Sequence, residues 1–190
     1  MSKYLAYPFL YDDTNDLKCD FEILSDEISS MIGLVRSLLD DKDKASCLTI
    51  ADDLSKINEL MYHINPSLRT IVTVTTKELE WLYERTQSLQ KALEDPSKTC
   101  KTSQTCKASQ NKSPVFFLPQ GCTQAAWSHV IRNKCKALVR LISRYKQQGN
   151  PVDDILLDFI NLFSGYFYFL ALWLNRNHGE KELPFISRNY

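Results

Sequence analysis

The segment FFLPQGCTQAAWSHVIR, residues 116–132, contains the strongest structural signal in the chain. Two phenylalanines and a proline precede Gly121, and an amphipathic stretch with His129 and Arg132 follows directly. Thr123 alone could cap a helix here, because a threonine side chain accepts a hydrogen bond from a free backbone amide. The approach to this helix is therefore specified more tightly than helix initiation requires.

Helices are predicted on both sides of this segment, because apolar residues recur there with a helical period. The helix that begins near Thr123 should end at about residue 147, before Gly149, which suits the position after a helix. The other four should cover about residues 20–39, 50–64, 76–94 and 152–178. Five helices without a convincing pair of strands predict an all-α five-helix bundle with ferritin-like up-down packing. We expect one domain over residues 1–190.

Three stretches are predicted to lie outside these helices. TIVTVTT, residues 70–76, is rich in β-branched side chains, but a lone strand leaves its backbone groups unsatisfied, so an extended approach to the next helix is expected. Residues 95–114 contain four lysines and almost no large apolar side chain, which predicts a mobile loop. Residues 1–19 are compatible with a hairpin or with disorder.

Composition excludes some classes of function. The chain has 190 residues, with 23 Lys and Arg against 23 Asp and Glu, so no overall field attracts it to nucleic acid or to anionic lipid. The apolar run at 155–174 has the length of a membrane span, but Asp158, Asn161 and Gly165 interrupt it, so a buried helix is predicted.

Cysteine usage predicts a reducing compartment. The six cysteines are scattered, and the N-terminal sequence MSKYLAYPFLYDD lacks the basic-then-apolar layout of a secretory signal. We therefore expect a cytoplasmic protein with free thiols. Cys100 and Cys106 share the predicted loop and would form a disulfide only if oxidised.

Three stretches together resemble one protein family. ILSDEISSMIGLVRSLL (23–39) resembles the V-D-E-L-N-S-x-I-G-L helix of the ATP:cob(I)alamin adenosyltransferases of the propanediol-utilisation type. FFLPQGCTQAAWSHVIRNKCK (116–136) resembles their F-I-L-P-G-G turn and the H-x-A-R-x-x-C-R-R helix that follows it. DFINLFSGYFYFLALWLNRNHGE (158–180) is similar to their Y-L-N-R-L-S-D-x-L-F-x-L-A-R-x-x-N closing helix. The order and the spacing agree from about residue 20 onward.

The resemblance implies a fold, an activity and partners. Members of this family are five-helix bundles that assemble as homotrimers, with ATP and a corrinoid in the clefts between subunits. They transfer the 5′-deoxyadenosyl group of ATP, with Mg²⁺, to the reduced cobalt of cobalamin. The resemblance also implies a flavoprotein reductase or a corrinoid-dependent enzyme as a further partner.

The same match implies site residues. Phe116 would bring its ring to the lower face of the corrin. Asp26 and Arg132 would pair across the subunit boundary, as a charge-assisted and orienting contact. Lys136 takes the place of an arginine that contacts phosphate in relatives, keeping the charge but not the planar fork. Asn161 would lie beside the nucleotide.

His129 has two interpretations. The resemblance to the family places His129 at the start of the helix face that is turned toward ATP. Without the resemblance, its position near the start of a helix favours a hydrogen-bonded structural histidine. Because His63, His129 and His178 are far apart and no Cys or carboxylate joins them at a metal-binding spacing, no protein-bound metal is expected.

Several positions depart from the family pattern. Ala137, Val139, Leu162 and Gly165 stand where the family has charged residues, and Gln120 replaces the first glycine of its proline turn.

The N-terminal glycines that let backbone amides approach the triphosphate are absent, since residues 1–32 contain no glycine. Two hypotheses follow. The chain is a divergent corrinoid adenosyltransferase, or it is a non-catalytic trimeric relative that carries a corrinoid or acts as a regulatory subunit.

Overall fold

The computed structural model describes residues 8–11, 13–44, 49–94, 116–186 and 188. The predicted loop at 95–114, with Cys100 and Cys106, lies outside these residues, and so do residues 1–7. What was expected for those parts stays a prediction.

The five long helices predicted from the sequence are confirmed, with ends within about three residues of those expected. Residues 71–75 form no regular element, as predicted for the approach to the third long helix. The described elements, in chain order, are a 3-10 turn at Pro8–Tyr11, α1 (Leu17–Ser37), α2 (Asp41–Lys44), α3 (Ile50–Ile64), α4 (Thr76–Glu94), β1 (Phe116–Phe117), α5 (Thr123–Gln147), α6 (Asp154–Asn177) and β2 (Pro184–Phe185).

Three features of the described fold were not predicted. They are the 3-10 turn at Pro8–Tyr11, the single-turn helix α2, and an antiparallel pairing of β1 with β2, in which Phe116 faces Phe185 and Phe117 faces Pro184. The expectation that the chain lacks a pair of strands is therefore wrong. The two segments are too short to carry a period-2 pattern, and each gains its backbone partner only after the bundle has brought them together.

The helices pack as a bundle in which α6 lies against α4 and α5, and α1 lies against α3 and α5. The centre is filled by large side chains that are fully buried, notably Phe21, Phe159, Phe163, Tyr166 and Phe167. Burial of each such side chain contributes roughly 1.5–3 kcal/mol to the free energy of unfolding.

Among the described helices, α6 alone is long and apolar enough to cross a membrane by length and composition. Half of its 18-residue apolar window is buried inside the bundle, as is usual for the core helix of a globular domain. Asp153 caps its first turn by accepting a hydrogen bond from the Ile155 amide.

The described N-terminal residues pack on the start of the bundle. The guanidinium of Arg69 lies 3.9 Å from the centre of the Phe9 ring, and the Arg69 Nε donates to Glu22 Oε1 at 2.7 Å. The turn at Pro8–Tyr11 therefore lies at the N-terminal end of α1.

A charged network joins α3, α4 and α6 in the core. Arg85 Nε donates to both oxygens of the buried Asp53 carboxylate, at 2.8 and 2.9 Å, and the Tyr166 hydroxyl lies 3.3 Å from the same carboxylate. Desolvation raises the pKa of Asp53 above its ordinary value, although Arg85 acts in the opposite direction. The carboxylate is tolerated in the core because Arg85 and Tyr166 supply its donors.

Removing Arg85 should therefore destabilise the bundle. Arg85→Met leaves Asp53 as a buried carboxylate without its cation, and we expect a loss of about 3 kcal/mol in the free energy of unfolding at pH 7. Lys91→Met, at an exposed position of the same helix, is the control and should change stability by less than about 0.5 kcal/mol. Urea denaturation of both variants measures this, and equal stabilities would contradict the role of the network.

Candidate functional site

The paired strands expose an apolar surface. The pairing of Phe116 with Phe185 continues to Leu118, whose amide donates to the Leu183 carbonyl at 2.9 Å. Directly opposed and alternate residues of an antiparallel pair point to one face. We call the four side chains of Phe116, Leu118, Leu183 and Phe185 the ribbon face. All four are exposed, Phe116 by 66% and Phe185 by 50%, so the ribbon face is available to a large apolar ligand.

A buried amide at the end of α6 holds the turn that leads from the ribbon into α5. Asn175 is 1% exposed, and its Nδ2 donates to the Gln120 carbonyl at 2.8 Å and to Glu182 Oε1 at 2.9 Å. Its Oδ1 accepts from the Cys122 amide at 3.0 Å. We call these four residues the Asn175 clamp.

Gly121 is required by this arrangement. Its φ of +115° lies in a region that L side chains rarely adopt, and a Cβ at this position would overlap the Asn175 side chain. The turn in FFLPQGC is therefore specified by the clamp as well as by the helix start. Cys122 is the N-cap residue of α5 and makes no side-chain capping bond.

Helix α5 carries the positive charge of the site. It contains six basic residues and no acidic residue, in a chain whose formal net charge is zero. Lys134 pairs with Glu27 at 2.7 Å and Lys146 with Asp154 at 3.1 Å. Lys136, Arg140 and Arg144 are exposed and have no ion-pair partner in the described part of the chain. Since they recur every four residues, they form a stripe of unpaired cations along one side of the helix.

Arg132 begins this stripe and is held from α6. Its guanidinium carbon lies 5.3 Å from the centre of the Tyr168 ring, within the range of a cation–π contact. The Ser164 hydroxyl donates to the Arg132 carbonyl at 3.4 Å. Asn161 precedes Ser164 by one helical turn and is exposed, and Lys136 follows Arg132 by one turn. Lys136 on α5 and Asn161 on α6 are thus exposed about one helical turn from the contact between Ser164 and Arg132, and Arg132 itself is half-buried.

Asp26 lies on the outer side of α1. Its carboxylate is exposed and accepts a hydrogen bond from the Tyr62 hydroxyl at 3.3 Å. Within one chain, no contact between Asp26 and Arg132 is found among the described residues. Their pairing across a subunit boundary stays a prediction.

A groove of about 810 Å³ runs between α4 and α6, with Asn161 in its wall. Glu80, Glu84 and Asp158 line it, and no lysine or arginine does. Leu162 and Gly165, two of the departures from the family pattern, also lie in the wall. Because a triphosphate would meet carboxylates here, the cationic stripe on α5 is the better phosphate surface.

The prediction of a hydrogen-bonded His129 is wrong in the described structure. The residue is 3% exposed, and neither ring nitrogen has a hydrogen-bond partner among the described residues. Desolvation, with a smaller contribution from Arg132, lowers the pKa of His129 to about 4. The neutral ring lies inside the bundle, whereas Lys136 on the same helix is exposed.

His178 joins a polar cluster that its place in the sequence does not reveal. Its Nε2 lies 3.2 Å from both oxygens of the buried Asp43 carboxylate and 3.9 Å from Asp40 Oδ2. Asn177 Nδ2 and the Asp40 amide also donate to Asp43, at 2.8 and 3.2 Å. With three protein donors, Asp43 fastens α2 to the end of α6 as a structural cluster.

Three features of the site were missed from the sequence: the Asn175 side chain, the second strand of the ribbon and the contact of Tyr168 with Arg132. Asn175 coincides with the asparagine that ends the closing-helix pattern, which was the available signal. The tripeptide Leu-Pro-Phe at 183–185 could have been matched with Phe-Phe-Leu at 116–118 as a partner strand. Tyr168 was assigned to the core or an interface, and its cation–π contact with Arg132 was not anticipated.

The buried neutral His129 predicts a specific pH dependence. In the unfolded chain the histidine binds a proton near pH 6.5, but the folded state resists this until about pH 4, so stability should fall as the pH is lowered through this window. The contribution is about 3 kcal/mol, from about 1.4 kcal/mol per pKa unit. We expect His129→Gln to flatten this part of the profile relative to the wild type, and His63→Gln, at an exposed position, to leave it unchanged. Parallel profiles for wild type and His129→Gln would contradict the assignment.

Comparison with known proteins identifies a family and a fold. The sequence profile of the cobalamin adenosyltransferase family matches residues 22–174. None of the curated protein sequences matches the chain.

Solved structures share the fold. A phenylalanine-to-histidine variant of the PduO-type ATP:corrinoid adenosyltransferase from Lactobacillus reuteri, complexed with cobalamin and ATP, is 20% identical, with a TM-score of 0.70, over 92% of this chain and 86% of that one. A phenylalanine-to-alanine variant with the same ligands is 19% identical, with a TM-score of 0.72, over 91% and 88%. An arginine-to-lysine variant with ATP is 20% identical, with a TM-score of 0.70, over 90% and 89%.

The five-helix bundle and the family profile over most of the sequence lead to one assignment. The chain belongs to the cobalamin adenosyltransferase family.

Proposed function

We propose that this protein is a corrinoid adenosyltransferase. It transfers the 5′-deoxyadenosyl group of ATP to the cobalt(I) of reduced cobalamin. The cobalt electron pair forms the new bond to C5′, the C5′–O bond breaks, and triphosphate leaves. The observation that carries the proposal is the exposed ribbon face in a member of this family, because an apolar shelf of four side chains suits a flat macrocycle.

The ribbon face acts on the corrinoid by packing. Phe116 and Phe185 offer two exposed rings, and Leu118 and Leu183 extend the apolar area beside them. Packed beneath the corrin, these side chains exclude water and a lower axial ligand from cobalt. A cobalt without that ligand is reduced more easily to the nucleophilic state, which is the demanding part of the reaction.

The basic side chains of α5 would bind the phosphates of ATP. Arg132 is restrained by Tyr168, so its guanidinium is oriented before a ligand arrives. Lys136 is exposed one turn further on and supplies an unpaired charge for a phosphate oxygen. Such groups favour the charge that develops on the leaving triphosphate. Mg²⁺ bound to ATP would neutralise the remaining charge, and Asn161 would lie near the nucleotide.

The assembly is part of the proposal. A homotrimer would bring Asp26 of one subunit to Arg132 of the next, with ATP and the corrinoid in the cleft between them. Asp26 is exposed on α1, as such a contact needs. We further propose that the protein works in the cytoplasm, supplied with reduced corrinoid by a flavoprotein reductase or delivering its product to a corrinoid-dependent enzyme.

The absence of glycine in residues 1–32 favours the second hypothesis, a non-catalytic corrinoid carrier, because the family's amide cradle for triphosphate is missing.

One assay distinguishes the enzyme from the non-catalytic carrier. Purified protein is mixed with MgATP and chemically reduced cobalamin, and the cobalt–carbon product is followed by its absorption spectrum. We expect adenosylcobalamin to form with saturation in ATP. If the protein binds the corrinoid but neither binds ATP nor turns it over, the enzyme hypothesis is contradicted and the carrier hypothesis remains.

A matched pair of variants tests the ribbon face in this assay. Phe116→Ala should weaken corrinoid binding about tenfold, since it removes an aromatic contact of about 1.4 kcal/mol. Ile71→Ala truncates an equally exposed apolar residue on a different part of the bundle and should leave affinity unchanged. Equal effects of the two would contradict the proposed corrinoid surface.

The intersubunit pair is tested by a double-mutant cycle on trimer stability. Asp26→Ala and Arg132→Ala should each promote dissociation in sedimentation experiments, and the double variant should lose less than the sum, with a coupling of about 1 kcal/mol. Lys136→Ala, on the same helix, should leave the trimer intact. Additive losses would show that Asp26 and Arg132 do not meet.

A further inference from the structure

We propose that Asn175 and Glu182 are positioning residues for the corrinoid. Neither side chain belongs to the ribbon face, but together they fix where that face lies. The inference rests on the proposed function, because it assigns a role to residues around the same site.

The ribbon needs an external support. Its strands contribute two residues each, and a two-stranded pair of this size is not stable alone in water. The strands are also far apart in the chain, since β1 precedes α5 and β2 follows α6. Their register therefore depends on contacts with the helices.

Asn175 supplies that support to both strands at once. Gln120 and Cys122 belong to the segment that leaves β1, and both bond to the Asn175 amide through their backbone. Glu182 belongs to the segment that enters β2, and its carboxylate bonds to the same amide. The Glu180 amide donates to the Asn175 carbonyl at 2.8 Å. One buried residue thus ties both approaches to the end of α6.

Glu182 determines which way the Asn175 amide points. A carboxylate accepts hydrogen bonds, so the NH₂ group must face Glu182, which turns the amide oxygen toward the Cys122 amide. The Asn175 side chain thereby donates two hydrogen bonds and accepts one. The other Glu182 oxygen, Oε2, is buried and has no hydrogen-bond partner among the described residues. Among the described residues, the Glu182 carboxylate is thus hydrogen-bonded through Oε1 alone, to Asn175.

Asn175 therefore does not touch the corrin, but it determines how tightly the protein binds the corrinoid. Removing the Asn175 side chain frees the turn at Gly121 and the approach to β2, so the ribbon face loses its fixed position. The ligand would then have to order the ribbon on binding, which lowers its affinity. Contacts to ATP from Arg132 and Lys136, further along α5, should be unaffected.

The test compares Asn175→Ala with Asn65→Ala. Asn65 is a matched control, because its Nδ2 also makes two hydrogen bonds, to the Glu22 carbonyl at 2.8 Å and to Ser25 Oγ at 2.7 Å. These lie in the N-terminal half of α1, whereas Gln124, at the start of α5, bonds to Leu38 just past the C-terminal end of α1. About 20–24 Å of helix separates the two positions.

Two readouts are taken. Hydrogen exchange of the Leu118 amide in the ligand-free protein reports the ribbon directly, and titration with cob(II)alamin and with MgATP gives the two dissociation constants. For Asn175→Ala we expect at least tenfold faster exchange, about tenfold weaker cobalamin binding, and an ATP constant within twofold of the wild type. Asn65→Ala should lower the melting temperature with neither change at the ribbon.

Glu182 provides a second variant should Asn175→Ala fail to fold. Glu182→Ala should weaken cobalamin binding about threefold, and Glu182→Gln, which keeps an acceptor oxygen, should restore it. Faster exchange with unchanged cobalamin affinity would overturn the inference while leaving the proposed function intact. A wild-type protein that binds no cobalamin would overturn both.

Discussion

The hydrogen bonds of Asn175 are the contact on which the candidate site depends. The bundle alone would place the start of α5 and the end of α6 near each other, but it would not decide where the chain before α5 and the chain after α6 lie. Asn175 bonds to both, through Gln120, Cys122 and Glu182. The requirement for glycine at position 121 follows from the same contact. The ribbon face is exposed, and the segments that lead into its two strands are both held by Asn175.

Charge and apolar surface are separated around this anchor. The ribbon face is apolar, whereas α5 presents unpaired cations and no carboxylate. The groove between α4 and α6 is lined by acidic side chains and by Leu162 and Gly165. This separation suits a ligand pair with a flat apolar member and a polyanionic member. Under the proposed function, the side-chain cations of α5 would take part of the role that backbone amides have in the family's N-terminal glycine motif.

Much of the fold follows from the sequence, because helical periodicity is local. The five long helices, the end of α3 before Pro66 and the positive-φ Gly149 after α5 are encoded within a few residues of each position. The ribbon could not be predicted in this way, since Phe116 and Phe185 meet only when α5 and α6 fold against each other. The same limit applies to His178 and Asp43, which are 135 residues apart.

The site was predicted in part. Resemblance to the family named Phe116, Arg132, Lys136 and Asn161, and their role in ligand binding stays a prediction. Phe116, Lys136 and Asn161 are exposed, and Arg132 is half-buried. His129 was misjudged, because the number of donors around a buried ring depends on packing and is not visible in a pattern.

Asn175 could not be given a role from the sequence, because its partners lie on segments that only folding brings together. Its role appears only when its three partners are known.

The central claim is that the anchored ribbon face forms the floor of the corrinoid site. A crystal structure of the assembled protein with cob(II)alamin tests it most directly. The account predicts the lower face of the corrin against the rings of Phe116 and Phe185, with the bonds of Asn175 to Gln120, Cys122 and Glu182 intact. A corrin bound elsewhere, or a Phe116 ring covered by its own chain and out of reach of any ligand, would contradict it.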